Sequence, residues 1–277
     1  MSEPVLLDEE STPLDLRFAD AELDRVHNHV SQFIADQVDA AGAEGAVLGL
    51  SGGIDSTTVA YLAVDALGAD RLRGLVMPGS VNTDENMSDA ERVAEDLGIE
   101  YDVIEIEPIA EAFYDALPAA ADDRMAESNV RVRVRAVLNY FAANADDRLV
   151  LGTGNRSEAL TGYFTKYGDQ AVDCNPIGNL YKQQVRQLAA HAGVPRDLVM
   201  KTPSAEMWTG QTDEGEMGLD YDTLDAVLAL HVDGSLSTAA TVRALDVTEE
   251  LVARVDELYE SSKHKRTMPS APAELSL

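Results

Sequence analysis

The feature that most constrains this chain is a glycine-containing turn between an apolar run and a segment with helical periodicity. Residues 46–50 predict a short buried strand, and the apolar residues of 57–67 recur at helical spacing. The turn between them reads Ser51-Gly52-Gly53-Ile54-Asp55-Ser56. Two adjacent glycines let the backbone come close to a ligand, and the first amides of the following helix favour an anion. The turn therefore predicts a phosphate site.

Asp55 adds a second requirement to this turn. A carboxylate beside a phosphate is repelled unless a cation lies between them, so Asp55 predicts a bound divalent cation, with magnesium favoured by its preference for oxygen ligands. The turn is not a Walker A loop, because no Gly-Lys pair occurs in the chain. It resembles the pyrophosphatase loop of the N-type ATP pyrophosphatases, which cleave ATP between its alpha and beta phosphates. The alternative is a turn that uses glycine and serine for geometry alone.

The charge of the chain limits its partners. There are 50 acidic and 21 basic residues, a formal net charge of -29, and only five of the basic residues are lysines. Such a surface repels nucleic acids and anionic membranes, so neither is expected as a partner. An acidic surface is explained either by simple solvation or by adaptation to a salt-rich cytoplasm, where charges are screened over about 3 Å at 1 M salt. We favour the second, a halophilic protein.

The compartment is predicted from what the sequence lacks. Cys174 is the only cysteine, which excludes an internal disulfide, and it is interpreted as a packing residue. The N-terminus has no signal-peptide pattern, and no apolar run approaches the 18 or so residues needed to span a bilayer. A cytoplasmic, soluble protein is expected.

Strands and helices are predicted to alternate through the first 152 residues. Strands are expected at 46–50, 72–77, 101–106 and 149–152, and helices at 20–42, 57–67, 88–98 and 124–144, with a capping box at Ser88 and Glu91. This order predicts an α/β fold, a Rossmann-like doubly wound parallel sheet with helices on both faces. Ligands of such sheets bind at the carboxyl ends of the strands, where the glycine turn lies.

The second half of the chain is predicted to contain a loop and further helices. Residues 162–177 have no period, and 181–193, 220–231 and 237–262 are expected to be helical. Residues 202–218 are expected to form a mobile segment that orders over substrate. The domain prediction is an acidic tail at 1–19, a single domain at 20–269 and a C-terminal tail at 270–277.

Two polar constellations follow the fourth predicted strand. Thr153 is suited to bind a nucleotide, and Glu158 is a candidate second carboxylate for the metal, although a Glu early in a helix is also a favourable partner of the helix dipole. Three of the five lysines lie in short polar motifs, which favours neutralisation of phosphate or carboxylate groups over chance placement. These lysines are Lys166, Lys182 and Lys265.

Taken together, six motifs from about residue 20 to residue 269 resemble the ammonia-dependent NAD synthetases. The motifs are Ser51-Gly-Gly-Ile-Asp-Ser56, Leu151-Gly-Thr-Gly-Asn-Arg-Ser-Glu158, Gly162-Tyr-Phe-Thr-Lys-Tyr-Gly-Asp169, Pro176-Ile-Gly-Asn-Leu-Tyr-Lys182, Pro203-Ser-Ala-Glu-Met-Trp-Thr-Gly-Gln-Thr-Asp-Glu214 and His264-Lys-Arg266. The family pattern is not complete, because Gln170-Ala171 replaces a glycine pair, and Val132 and Ala136 differ from the residues that usually flank the two arginines, Arg133 and Arg135. The resemblance implies amidation of deamido-NAD by ammonia, with ATP as co-substrate and an adenylate intermediate.

The resemblance also implies roles for individual residues. It implies an ATP site formed by Gly49, Leu50, Ser51, Gly52, Gly53, Ile54, Asp55, Ser56, Thr153, Lys182 and Ser204. Magnesium would be held by Asp55 and Glu158. Deamido-NAD would contact Arg133, Lys166, Asp173, His264 and Lys265, some of them across a homodimer interface. The catalytic residues would be Asp55, Asp169 and Lys182, with Asp169 near the incoming ammonia.

Two other functions are alternatives to the amidation of deamido-NAD. One alternative is another ligase with the same loop. A tRNA-thiolating enzyme is disfavoured by the single cysteine and by the net charge of -29, and a GMP synthetase is disfavoured by the loop Lys166-Tyr-Gly-Asp169, which has no place in those enzymes. A non-catalytic nucleotide sensor would be expected to lack Asp55 or Glu158, and both are present. The single cysteine also leaves no nucleophile for a glutaminase domain in the chain.

Overall fold

The computed structural model describes residues 14–79, 84–120, 123–204 and 212–273. Four strands and twelve α-helices are found in these ranges. They are, in chain order, α1 Asp20–Ala41, β1 Gly45–Leu50, α2 Ile54–Leu67, β2 Leu72–Val76, α3 Asp84–Leu97, β3 Glu100–Val103, α4 Glu107–Ala116, α5 Arg124–Ala145, β4 Arg148–Leu151, α6 Arg156–Thr161, α7 Lys182–His191, α8 Arg196–Val199, α9 Asp213–Met217, α10 Tyr221–Val227, α11 Thr238–Leu245 and α12 Glu249–Ser261.

The four strands form one parallel sheet in the order β3-β2-β1-β4. Ala46 of β1 is paired with Leu72 of β2 on one side and with Leu149 of β4 on the other. The strand order therefore reverses between β1 and β4, and ligand crevices of open α/β sheets form at such a reversal. The predicted fold class is confirmed.

Side chains of the central strand are buried on both faces of the sheet. Ala46, Leu48 and Leu50 belong to a core cluster with residues of α1, α2 and α7, whereas Val47 belongs to a second cluster with residues of α5. The alternation follows the two-residue period of a strand. Because each fully buried Leu or Val contributes about 1.5–3 kcal/mol, this strand is a rigid base for the turn that follows it.

A third cluster joins the C-terminal helices to the sheet domain. The completely buried side chains of this cluster include those of Tyr221, Leu224, Val252 and Val255. It also contains Tyr181, which precedes α7 and is 8% exposed. The cluster fixes α10 against the start of α7. It therefore places the C-terminal half of the chain beside the end of β1.

Several predicted helix boundaries are wrong. Helix α2 begins at Ile54, so that Asp55 lies in its first turn, and α3 begins at Asp84, which places Ser88 inside the helix and not at its cap. The predicted helix at 237–262 is two helices. Asp246 between them has a φ of 53°, which no α-helix continues through, and the Thr248 hydroxyl caps α12 by accepting from the Leu251 amide at 3.2 Å.

Two other segments differ from the expectations. The predicted helix at 220–231 is α10 followed by a π-helical turn, Leu228–Asp233. The predicted acidic tail at 1–19 is packed at its end, because Leu14, Leu16 and Phe18 contact the core and the Phe18 amide donates to Gln187 Oε1 at 2.8 Å. Residues 1–13, and 205–211 of the segment predicted to close over substrate, lie outside the described residues. None of the described helices is long and apolar enough to cross a membrane.

Candidate active site at the carboxyl ends of the strands

A cavity of about 610 Å³ opens where β1 and β4 end. This is within the range of small-ligand sites. All the residues predicted to bind ATP line it except Gly52, and so do Glu158 and Asp169. The structure therefore brings together, from four separate parts of the chain, the residues that the motifs singled out for nucleotide and metal.

The glycine turn has a preformed shape. Gly52 has a φ of 73°, a conformation that favours glycine, and Gly53 is the N-cap of α2. The Ser51 and Ser56 hydroxyls lie 3.0 Å apart, and the Gly53 amide donates to Ser51 Oγ at 3.2 Å. The two serines thus stabilise the turn from within. The amides of the first turn of α2 have no partner inside the helix and remain the anion-binding groups of the site.

Lys182 lies between the two carboxylates that were predicted to hold metal. It is the first residue of α7 and is 1% exposed. Its ammonium donates to Asp55 Oδ2 and, at 3.4 Å, to Glu158 Oε1. The Tyr221 ring centroid lies 5.2 Å from the same Nζ atom, within reach of a cation–π contact. One buried cation is therefore shared by two carboxyl groups.

Burial and charge act against each other in this cluster. Burial raises the pKa of the Glu158 carboxyl, and the Lys182 ammonium opposes that rise. Burial also lowers the pKa of Lys182, but Asp55 and Glu158 outweigh it, so the pKa of this lysine lies above its ordinary value. Lys182 is therefore charged at neutral pH.

Asn155 was not singled out from the sequence. Its side-chain amide donates to Asp55 Oδ1 at 3.0 Å, and its Oδ1 accepts from the Glu158 amide at 3.0 Å. It thereby caps α6 and links it to α2. The spacing of Asn155 and Glu158, which is that of a capping box, is the signal that could have identified it.

Asp213 and Tyr221 were also missed. Asp213 is 4% exposed and lines the cavity, and its Oδ2 accepts from the Tyr221 hydroxyl at 2.9 Å. Burial raises the pKa of Asp213, and the Lys182 charge opposes that rise. No periodicity or spacing in the sequence links Asp213 or Tyr221 to Asp55. Their positions at the cavity depend on tertiary packing, such as that of α10 against α7.

Asp169 faces the cavity from the loop that precedes α7. Its side chain is accessible from the cavity but surrounded by protein on most sides, and this desolvation raises the pKa of the carboxyl to about 6. The Thr165 amide donates to Asp169 Oδ1 at 2.7 Å and opposes the rise. A carboxylate with this pKa is suited to exchange a proton near neutral pH.

The residues predicted to contact deamido-NAD fall into two groups. Arg133, Lys166 and Lys265 line the cavity. The Lys265 ammonium donates to the carbonyl oxygens of residues 162 and 164, both at 2.8 Å, and the Lys166 ammonium donates to a carbonyl of the C-terminal turn at 2.8 Å. Carbonyl oxygens carry no formal charge, so these contacts are not ion pairs. Burial lowers the pKa of Lys265, and the nearby Asp169 carboxylate opposes that fall.

The other two residues lie outside the cavity lining. Asp173 Oδ2 accepts from the Val150 amide at 2.8 Å, and its Oδ1 accepts from the Tyr140 hydroxyl at 3.1 Å. His264 contributes its backbone carbonyl to Lys166, and its ring is exposed. The predicted ligand contacts of Asp173 and His264 stay predictions.

Comparison with known proteins identifies the family of this chain. The model of the NAD synthase family matches residues 26–269. The chain belongs to this family. It is 66% identical over 261 residues to the NH(3)-dependent NAD(+) synthetase of Halobacterium salinarum, covering 94% of this chain and 97% of that protein.

Two solved structures of related proteins share the fold. The NMN synthetase of Francisella tularensis superposes with a TM-score of 0.81 at 34% identity, covering 92% of this chain and 99% of that chain. The NH3-dependent NAD synthetase of Campylobacter jejuni superposes with a TM-score of 0.77 at 29% identity, covering 91% and 99%. The family resemblance read from the six motifs is confirmed.

Proposed function

We propose that this protein is a ligase that amidates deamido-NAD with ammonia at the expense of ATP, giving NAD, AMP and pyrophosphate. One observation carries the proposal: the glycine turn, two carboxylates and a buried lysine meet at the end of β1 in a chain 66% identical to an NH(3)-dependent NAD(+) synthetase. These are the groups that a reaction at the alpha phosphate of ATP requires.

The first step forms the adenylate. A carboxylate is not amidated directly, because oxide is a poor leaving group, so its oxygen attacks the alpha phosphorus and the bond to pyrophosphate breaks. Negative charge then accumulates on the pyrophosphate. The first-turn amides of α2 and the Lys182 ammonium stabilise that charge, since both are fixed before the reaction and shielded from bulk water.

Asp55 and Glu158 fit a magnesium ion. Both carboxylates face one point, occupied by the Lys182 ammonium, and magnesium binds through one or two carboxylates with substrate phosphates and waters completing its shell. Among the described residues no group of three or more His, Cys, Asp or Glu side chains is arranged to hold a metal ion. Bound magnesium would supply neutralisation of phosphate charge.

The second step forms the amide. Ammonia attacks the acyl carbon, a C–N bond forms, and AMP leaves. Asp169 takes up the proton that the attacking nitrogen must lose, because it lines the cavity and its pKa of about 6 keeps most molecules in the carboxylate form at neutral pH. Arg133, Lys166 and Lys265 supply the positive charge that faces the deamido-NAD phosphates.

We also propose that the protein is a homodimer. Helix α5 exposes Val137 and Phe141, which are 66% and 74% accessible, at the (i, i+4) spacing of one helix face. With Tyr140, Asn144 and Tyr167 they form a shallow apolar groove of about 500 Å³. Arg133 lines both this groove and the cavity, so a second copy seated here would lie beside the substrate site.

The experiment that tests the activity is an end-product assay. Purified protein is incubated with ATP, magnesium, ammonium and deamido-NAD, and NAD, AMP and ADP are quantified. NAD and AMP in equal amounts are expected. AMP without NAD would indicate another acceptor, and ADP would reject the reaction class. Because a structural neighbour is named an NMN synthetase, nicotinate mononucleotide is assayed in parallel; preferential turnover of it would reject deamido-NAD as the main substrate.

A further inference from the structure

Asp225 of α10 is a buried carboxylate with no role in the steps above. It is 0% exposed, yet within the part of the chain that the structure describes it forms no ion pair with a lysine or arginine. Its oxygens accept two hydrogen bonds, one from the Ser157 hydroxyl and one, at 3.0 Å, from the Gln183 amide. These donors belong to α6 and α7, so a single side chain joins three helices.

The Ser157 hydroxyl extends this connection to Lys182. While it donates to Asp225, its oxygen accepts from the Lys182 backbone amide at 3.0 Å. The N-cap residue of α7, Tyr181, provides no side-chain cap. The first two amides of α7 are therefore capped by Ser157 and Asp225, from outside the helix. Burial raises the pKa of Asp225 to about 7, and the hydrogen bonds from Ser157 and Gln183 oppose that rise.

The same two segments carry the charged groups of the site. Ser157 precedes Glu158, and the amides that are capped belong to Lys182 and its neighbour. We propose that Asp225, acting through Ser157, is a positioning residue for adenylation, which holds the Lys182 and Glu158 side chains in the arrangement that acts on the phosphates. The inference rests on the roles proposed above for Lys182 and Glu158.

A second contact from the same part of the chain supports this assignment. Asp233, at the end of the π-helical turn that follows α10, accepts from Arg156 Nε at 2.7 Å and also bonds the Tyr181 hydroxyl. Arg156 and Tyr181 are the residues immediately before Ser157 and Lys182. Helix α10 and its π-helical extension thus hold both segments at consecutive residues. The Tyr221 ring, one turn before Asp225, contacts the Lys182 ammonium directly.

The chemistry of the connection requires a carboxylate at position 225. Ser157 donates to Oδ1 of Asp225 and the Gln183 backbone amide donates to Oδ2, whereas an asparagine has an acceptor oxygen at only one of these two positions and a donor at the other. If its amide nitrogen faced Ser157, the serine hydroxyl would have to accept twice and donate elsewhere. Asp225→Asn therefore breaks the connection with almost no change in volume, and Ser157→Ala removes its middle link.

The test compares these variants with a control from the same helix. Asp222→Asn also removes a charge from α10. Its backbone carbonyl, which accepts from Gln183 Nε2 at 3.1 Å, is not altered, and its carboxylate has only a long ion pair to α7, with Arg186 Nη1 at 3.9 Å from Oδ1. Full-length variants are mixed with ATP, magnesium and deamido-NAD without ammonia, and pyrophosphate release is followed in a single turnover. ATP affinity is measured by equilibrium dialysis and the melting temperature by circular dichroism.

We expect Asp225→Asn and Ser157→Ala to slow pyrophosphate release about 10- to 100-fold at saturating ATP, with ATP affinity within about threefold of wild type. The double variant should be no slower than Asp225→Asn alone, because both changes break one connection. Asp222→Asn should remain within about twofold of wild type.

A purely structural role would lower the melting temperature and leave the rate at saturating ATP unchanged, and this result would overturn the proposal. If Asp225→Asn does not fold, the rate of Ser157→Ala decides alone. Lys182→Ala distinguishes a failure of the role proposed for Lys182 from a failure of the role proposed for Asp225. Normal pyrophosphate release by Lys182→Ala would reject the role of Lys182 itself. If Lys182→Ala releases pyrophosphate slowly but Ser157→Ala and Asp225→Asn release it at the wild-type rate, only the positioning role of Asp225 is rejected.

Discussion

Replacement of Lys182 by methionine tests the central electrostatic arrangement without reference to turnover. Methionine keeps most of the side-chain stem and removes the charge, so Asp55 and Glu158 face each other with no cation between them. Removing one partner of a buried ion pair costs about 3–5 kcal/mol. The Lys182 side chain is 2% exposed, but the two carboxylate side chains are 18% and 17% exposed and retain some water. We therefore expect the lower end, a loss of about 3 kcal/mol.

The loss should depend on pH in a defined direction. Burial already raises the pKa of Glu158, and in Lys182→Met the positive charge that opposes the rise is gone, so the pKa rises further. A group whose pKa is raised on folding favours the folded state at pH values below its ordinary pKa and loses that contribution as pH rises through the folded value. For Glu158 this window starts at its ordinary value of 4.5. Lys182→Met should therefore be closest to wild type at a pH of about 5 and least stable at about 8.

Urea denaturation at fixed KCl, with EDTA present to remove divalent ions, measures the free energy of unfolding at both pH values. Lys263→Met is the matched control, because Lys263 is 65% exposed and lies 3.7 Å from Glu260 in a surface pair; its loss should be within about 0.5 kcal/mol. A Lys182→Met protein as stable as wild type at the higher pH, or a loss that does not vary with pH, would refute the reasoning.

Three further predictions concern catalysis, salt and assembly. Asp169→Asn should slow NAD formation about 100-fold while pyrophosphate release is retained, and should remove the decline in wild-type rate expected below a pH of about 6; an unchanged pH profile would contradict the role of Asp169. The free energy of unfolding should rise as KCl increases from about 0.1 to 2 M, because the net charge of -29 is screened, and full stability in low salt would remove the halophilic interpretation. Phe141→Glu should convert a dimer to monomer in sedimentation velocity, since it places a charge in the exposed apolar face of α5; an unchanged dimer would exclude this face from the interface.

The fold was predictable because its signals are local. The apolar run at 46–50 is buried on both faces, and a parallel strand of this kind produces a continuous apolar run. The glycine turn was predictable for the same reason, since Gly52 adopts a φ that other residues disfavour. The position of the site then follows from topology, because parallel strands end at the same edge of the sheet.

The helix break and the site contacts that were missed depend on tertiary packing, which leaves no periodic pattern or motif in the sequence. Residues 237–262 keep an apolar period across Asp246, so the break between α11 and α12 is invisible to periodicity. Lys182 was identified as a nucleotide ligand, but its position between Asp55 and Glu158 depends on the packing of α7 against α2 and α6. Asp225 carries no motif at all, and its contacts span 42 and 68 residues of sequence.

The distribution of lysine connects the acidic surface to the site. Four of the five lysines line the cavity, and these are Lys166, Lys182, Lys201 and Lys265. ATP and deamido-NAD are anions that the surface as a whole repels, so the site must attract them over short distances against a long-range field of the same sign. Salt shortens that repulsion to a few Å but weakens buried contacts much less. We therefore expect substrate affinity to be retained in concentrated salt, because most of the few lysines lie in one cavity while the rest of the surface remains negative. Among these four lysines, Lys182 is buried and paired with two carboxyl groups, so we expect salt to weaken its contacts with substrate least.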